Sequence, residues 1–266
     1  MQDLDLKQQP STPTGFASRR EIMGAFTLEE ADYESVRRVF PVRWPRYYLN
    51  LALENEAIAR MGRPETSELL ADPGDLVDPV SDLALRPHPF VVRKHADRVI
   101  LLTTKKCHFY CRFCFRRDEP FETAGEPTRD DWRSIFAFLR ANPEIQEPIL
   151  SGGDPLTLPD EMLAWIRDNL SEIPSVTRWR IHSRAPVHHP QRITSQLMDA
   201  LRGPLPSAWF FTVIPACWHS CTTLSVWAVI SPTWLKWVTK VKGKGPLRAS
   251  ISWLVMRCGW CTGARL

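Results

Sequence analysis

Cys107-His-Phe-Tyr-Cys111-Arg-Phe-Cys114 places three thiols within eight residues. A structural zinc site needs a fourth ligand at close spacing. His108 is the local candidate, but its adjacency to Cys107 makes shared tetrahedral ligation awkward. Three thiolates suit a 4Fe–4S cubane with one iron left open, although four is the usual complement. An open iron is a reaction site, whereas a closed cluster chiefly carries electrons. Three unrelated cysteines are the bland alternative. A second segment, Leu150-Ser-Gly-Gly-Asp-Pro-Leu156, pairs two glycines with a carboxylate. Such a pair lets backbone come close.

The elements that carry these motifs follow from the apolar pattern. Arg98–Thr104 is a short apolar, β-branched run and reads as a buried strand, with the cysteine loop directly after it. Asp130–Asn142 has helical spacing through Trp132, Ile135, Phe136 and Leu139. Pro148–Gly153 is a second strand ending in the glycine turn, and Asp160–Leu170 a helix with Pro159 at its start. Val176–His182 is a third strand, and Thr194–Leu201 opens a fourth helix. Strand and helix alternate, which predicts parallel βα units with chemistry in the loops at the strand ends. Upstream, residues 1–18 read as a loose arm. Thr27-Leu-Glu-Glu30 has capping-box form, Tyr47–Met61 reads as one helix, and residues 62–90 read as an extended connector.

Together these segments resemble a known family. Cys-x-x-x-Cys-x-x-Cys after a strand is similar to the radical S-adenosylmethionine superfamily. Phe40–Tyr48, Asp97–Thr103, Cys111–Arg117, Leu150–Leu156 and Arg180–Thr194, in that order, narrow the resemblance to the lysine 2,3-aminomutase family over roughly residues 38–203. The fold implied is α/β: a truncated, partial (β/α)6 barrel behind a helical N-terminal segment. Its division is an arm, helices and connector over 1–90, a half-barrel over 91–203 and an anomalous tail over 204–266.

The resemblance implies roles by position. Cys107, Cys111 and Cys114 match the ligands of a 4Fe–4S cluster whose open iron binds S-adenosylmethionine. Reductive cleavage of the sulfonium then gives a 5′-deoxyadenosyl radical. Ser151, Gly152, Gly153 and Asp154 match the segment that meets the methionyl amine. Arg116 matches the arginine that pairs with the substrate carboxylate, for which a bidentate guanidinium is suited. The family also uses pyridoxal phosphate. Lys94-His-Ala-Asp-Arg98 stands where the family has Arg-Tyr-Pro-Asp-Arg, so Lys94 and Arg98 are phosphate candidates. Arg184 is a further one, for phosphate or the carboxylate of S-adenosylmethionine. The implied reaction is 2,3-migration of an amino group on a small amino acid, lysine foremost. An electron donor such as flavodoxin or ferredoxin is implied, and a homo-oligomer is admitted. Cys114-Phe-Arg-Arg and Arg180-Ile-His-Ser-Arg lean towards the branch that makes (R)-β-lysine for elongation factor P. His188 and His189, adjacent in an apparently extended segment, are expected at the surface.

Composition sets outer bounds. The chain has 266 residues, 44% apolar and 24% charged, and no apolar run long enough for a membrane span. Without a secretory signal the expected location is the cytoplasm, where cysteines serve metals or catalysis more often than disulfides. The net charge of +4 is uneven: residues 204–266 hold no Asp or Glu, yet seven of the 11 Trp and four of the seven Cys. The first 203 residues carry 27 Lys and Arg against 30 Asp and Glu, so the basic balance belongs to the tail and supports no nucleic-acid partner. That composition, and the loss of family pattern after Gly203, lead to the expectation of a frameshift near codon 204. The expected consequence is an impaired enzyme; a non-catalytic cluster-binding fragment or a pseudogene product is the rival class. Cys217, Cys221, Cys258 and Cys261 are read as coincidence, and no tail lysine is assigned as the cofactor anchor.

Overall fold

The computed structural model describes residues 14–70, 72, 74–117, 125–205 and 207–211. Four helices come first: α1 (Arg19–Phe26), α2 (Glu30–Val39), α3 (Arg46–Glu54) and α4 (Glu56–Arg60). The capping box lies earlier than the sequence suggested. Ser18 Oγ accepts from the Glu21 amide at 3.3 Å, and the Glu21 carboxylate accepts from the Ser18 amide at 2.6 Å. Thr27 instead ends α1 in a left-handed conformation with φ of 51°. The helix expected over 47–61 is two helices, because Asn55 leaves the helical path and its side chain accepts from the amides of Ala57 and Ile58.

A five-stranded sheet follows, β1 (Val91–Val92), β2 (Arg98–Thr104), β3 (Glu147–Gly152), β4 (Trp179–Ser183) and β5 (Ser207–Phe211), in spatial order 1-2-3-4-5. β1 runs antiparallel to β2; every other pairing is parallel. Helices α5 (Arg129–Ala141), α6 (Asp160–Ser171), α7 (Ala185–His188) and α8 (Ser195–Leu201) fill the crossovers. The α/β half-barrel is therefore as expected, with one extension. β5 continues the parallel sheet past Gly203, where the pattern was expected to break. Residues 212–266, including the four tail cysteines, lie outside the described residues. Among the described residues no helix is long and apolar enough to cross a membrane.

Two apolar clusters hold this arrangement. Trp132, Ile135, Phe136 and Leu139 of α5 and Leu163, Ile166 and Leu170 of α6 pack with Leu101, Leu150, Trp179 and Ile181 of the sheet. Strand alternation then turns Arg180 and His182 of β4 to the opposite face, the barrel interior. The second cluster joins α1, α3 and α4 around Trp44 and Tyr48 and takes in Phe109 from the cysteine loop.

His188 and His189 correct the sequence reading. His188 is 2% exposed, its ring 4.7 Å from Tyr48 and 4.5 Å from Phe109, while His189 is half-buried. The segment is the short helix α7, which presses His188 into the second cluster. Burial drives the His188 pKa well below 6.5. The unfolded chain therefore binds a proton near pH 6.5 that the folded chain refuses, so stability present above that pH is lost as pH falls. For His188 the slope is at most about 1.4 kcal/mol per pH unit. Between pH 7.5 and 5.0, urea unfolding should show a smaller loss of stability for His188→Phe than for the parent chain. Equal losses in both would count against the assignment.

Candidate functional site

The cysteine loop leaves the C-terminal end of β2 and is held from two sides. On one side, Phe109 sits edge-on to Trp44 at 4.6 Å and to Tyr48 at 5.0 Å. Gly62 makes room for this, since a Cβ there would lie 2.6 Å from the Trp44 ring and overlap Phe109. On the other side, Arg112 grips Glu68 with two bonds of 2.9 and 2.6 Å, and Arg117 meets the same carboxylate at 3.1 Å. Both guanidinium groups lie over the Phe40 ring. The helical N-terminal segment thus clamps the loop around all three thiols. Nothing in the sequence marked Glu68 for that task.

The glycine turn of β3 braces the loop from below. Gly152 adopts φ of +107°, and a Cβ there would stand 2.7 Å from the Thr104 carbonyl. A Cβ on Gly153 would stand 2.8 Å from the Lys105 carbonyl carbon. The amides of Gly153 and Asp154 donate to the carbonyls of Thr104 and Lys106 at 2.6 and 2.8 Å. The close approach these glycines permit is to the start of the cysteine loop. Asp154 differs from its expected role as an acceptor for a ligand amine. Its Oδ1 takes the Leu156 amide at 3.0 Å and the Ser183 hydroxyl at 2.7 Å; its Oδ2 takes the amides of Arg184 and Ala185, each at 3.0 Å. Four donors saturate the carboxylate, so Asp154 ties the tip of β3 to the tip of β4.

Cys107, Cys111 and Cys114 are free thiols. Burial raises the pKa of Cys107, helped by Asp154 and the neighbouring sulfurs; burial is also what chiefly pushes that of Cys111 up to about 11, with Arg184 opposing it. Thiolates crowded in this way are stabilised by a shared cation, so the donor set fits an iron cluster. Among the described residues no three His, Cys, Asp or Glu side chains are close enough to share one metal ion.

The expected anion-binding residues separate. Arg184 Nη1 lies 2.6 Å from Cys111 Sγ, and its guanidinium lies near the Phe113 ring. Arg98 pairs with Asp97 at 3.1 Å at the N-terminal end of β2, ~20 Å along the strand from the cysteine loop. Lys94 pairs with Asp82 at 2.7 Å. These three cations have separate partners and do not converge on one phosphate. Arg116 does enter the barrel region: Nη1 reaches Ser151 Oγ at 3.5 Å, while Nε and Nη2 hold Asp82 at 3.1 and 2.9 Å. His182, on the interior face of β4, feels the Arg116 charge and has its pKa lowered to about 4, chiefly by burial. Asp82 and His182 were both missed in sequence. Asp82 lies in an acid-rich connector where nothing distinguished it from Asp75 or Asp78.

Comparison with known proteins agrees with this geometry. The Radical SAM superfamily profile matches residues 101–201. L-lysine 2,3-aminomutase of Methanococcus maripaludis is 31% identical over 205 residues, covering 74% of this chain and 47% of that protein. The chain belongs to the lysine 2,3-aminomutase family of the radical SAM superfamily. Among other members of that family, L-lysine 2,3-aminomutase of Clostridium subterminale is 36% identical over 159 residues, 59% of this chain and 38% of its own. Glutamate 2,3-aminomutase of Clostridioides difficile is 32% identical over 182 residues, 66% and 43% respectively. The chain spans about half the length of the curated aminomutases it matches. Membership of the superfamily implies a 4Fe–4S cluster and S-adenosylmethionine.

Proposed function

We propose that this chain carries the radical-generating part of an aminomutase that moves an amino group between C2 and C3 of an amino acid, lysine foremost. The observation that carries the reading is the joining of the cysteine loop at the end of β2 to the Gly152–Gly153 turn at the end of β3, with Arg116 reaching Ser151. Cys107, Cys111 and Cys114 bind three irons. When bound, the cluster and S-adenosylmethionine supply a reductive cleavage that starts hydrogen abstraction. Ser151, Gly152 and Gly153 border the methionyl end of that ligand, and Arg116 takes the substrate carboxylate. Phe109 and Glu68 keep the thiols in register. Lys94, Arg98 and Arg184 have separate partners and hold no common phosphate in this proposal.

The substrate ammonium group calls for acidic partners, and no Asp or Glu follows Asp199. The part of the reaction proposed for the described residues is radical generation. A second reading, (R)-β-lysine for elongation factor P, rests on Cys114-Phe-Arg-Arg and Arg180-Ile-His-Ser-Arg. The test is anaerobic reconstitution with iron and sulfide, then S-adenosylmethionine, L-lysine and a reductant. The expected products are 5′-deoxyadenosine without β-lysine. A chain continued after residue 203 in the frame that restores the family pattern should form β-lysine. Absence of 5′-deoxyadenosine from both would overturn the reading.

A further inference from the structure

Residues 64–85 hold six Asp and Glu and no Lys or Arg. Four of the six acids are committed within the fold. Glu65 pairs with Arg63, Glu68 with Arg112 and Arg117, and Asp82 with Lys94 and Arg116. Asp78 accepts from the amides of Asp82 and Leu83 at 2.8 and 2.7 Å. Asp72 and Asp75 are exposed, and their carboxylates accept from the amides of Gly74 and Asp72 at 2.8 and 2.9 Å.

The same stretch carries a concentration of exposed apolar side chains. Of the eleven large apolar side chains exposed among the described residues, seven lie in residues 69–85. Leu70 is 78% exposed, Leu76 69% and Val77 58%. Leucine and valine crowded into one exposed segment mark a surface that something covers. Asp72 and Asp75, set between them, define the chemistry of the cover as apolar and cationic.

One segment of this chain has that chemistry. Residues 212–266, outside the described residues, hold no Asp or Glu, seven Lys and Arg, and six Trp. Five of the seven cations fall in residues 234–248: Lys236, Lys240, Lys242, Lys244 and Arg248, with Trp234 and Trp237 beside them. A second copy of the folded part is a poorer match, because residues 1–203 carry 30 acidic against 27 basic side chains. Reach is no obstacle. From Phe211 to Lys236 is 25 residues. Extended, they span up to ~80 Å, against a radius of gyration of roughly 17 Å for a domain of about 200 residues.

We propose that residues 69–85 are the docking surface for this chain's own basic, tryptophan-rich segment, residues 234–248. The cations of that segment meet Asp72 and Asp75, and its tryptophans cover Leu70, Leu76 and Val77. The proposal goes beyond the aminomutase reading and does not depend on it.

The test uses the full chain and needs no turnover. A carbodiimide joins a carboxylate to an amine without a spacer, and mass spectrometry reads the linked peptides. Links from Asp72 or Asp75 to Lys236, Lys240, Lys242 or Lys244 are expected. A mixture of isotope-labelled and unlabelled chains should give links within one chain only. The second measurement is chymotryptic cleavage after Trp234 and Trp237 at low salt. Asp72→Lys with Asp75→Lys should be cut about tenfold faster than the parent, because two favourable charge pairs become repulsive. Adding Lys240→Glu, Lys242→Glu and Lys244→Glu to that variant should return the rate to near the parent's. About 1 M sodium chloride should speed cleavage of the parent and narrow the gap. Should the reversed variant not fold, Leu76→Ser with Val77→Ser alters no charge and should also be cut faster than the parent. Links only to other segments or only between chains, cleavage of these variants no faster than the parent's, or no recovery on charge exchange would each overturn the proposal.

Discussion

Asp154→Ala should lower the unfolding free energy by about 3–5 kcal/mol, a large fraction of what a domain of this size has in reserve. The substitution removes one buried carboxylate and strands four donors: the Ser183 hydroxyl and the amides of Leu156, Arg184 and Ala185. Water cannot easily replace it, because Asp154 is 6% exposed and its neighbours Leu156 and Ala185 are fully buried. Asp154→Asn keeps the volume and one acceptor oxygen, so its loss should be about half as large. Urea unfolding of the three proteins decides the matter. A loss under about 1 kcal/mol for the alanine variant would mean that the tips of β3 and β4 do not depend on this carboxylate. The same variant should retain iron poorly, since Gly153 and Asp154 brace the Thr104–Lys106 backbone from which the cysteine loop departs.

Cys111→Ala should reduce iron after anaerobic reconstitution from about four per chain to a small fraction of one, with loss of the brown colour of the cluster. Cys111 stands between the other two ligands. On one side Phe109 is fixed in the N-terminal cluster; on the other Arg112 is locked to Glu68. With the loop held so firmly, no other thiol among the described residues can move into its place. Metal binding and loop order are coupled in such a site. Iron content and absorbance together read the outcome, and the parent chain treated in parallel is the control. An unchanged iron count and spectrum in Cys111→Ala would remove this cysteine from the ligand set.

Some of this protein was legible in its residues because the signals are local. Three thiols in eight residues, a glycine pair at a strand end and the 3.6-residue rhythm of Trp132, Ile135, Phe136 and Leu139 depend on chain geometry that a few neighbours determine. They gave the parallel βα order, the position of the cysteine loop after the first parallel strand, and the family resemblance. The local reading went astray where two local options compete. Thr27 and Ser18 each begin a capping-box pattern, and only Ser18 stands at the N-cap of a helix, since Glu29 takes that place for α2. Tyr47–Met61 is apolar enough for one helix, yet Asn55 caps a second.

What the tertiary structure alone decided are the partners that come from far along the chain. Asp82 meets Arg116 from 34 residues away, and Glu68 meets Arg112 from 44. Neither carboxylate has a periodic or motif context, so nothing in sequence separates it from a solvated surface charge. His188 is buried because α7 packs on Tyr48 and Phe109, a contact that no pattern within 185–189 encodes. Asp154 shows the division within one residue. Sequence marked it as chemically important beside the glycine pair, and only the packed strand tips reveal that its four acceptor positions are spent inside the chain. Residue type and spacing announce which groups can do chemistry; burial and long-range pairing decide which of them are left to do it.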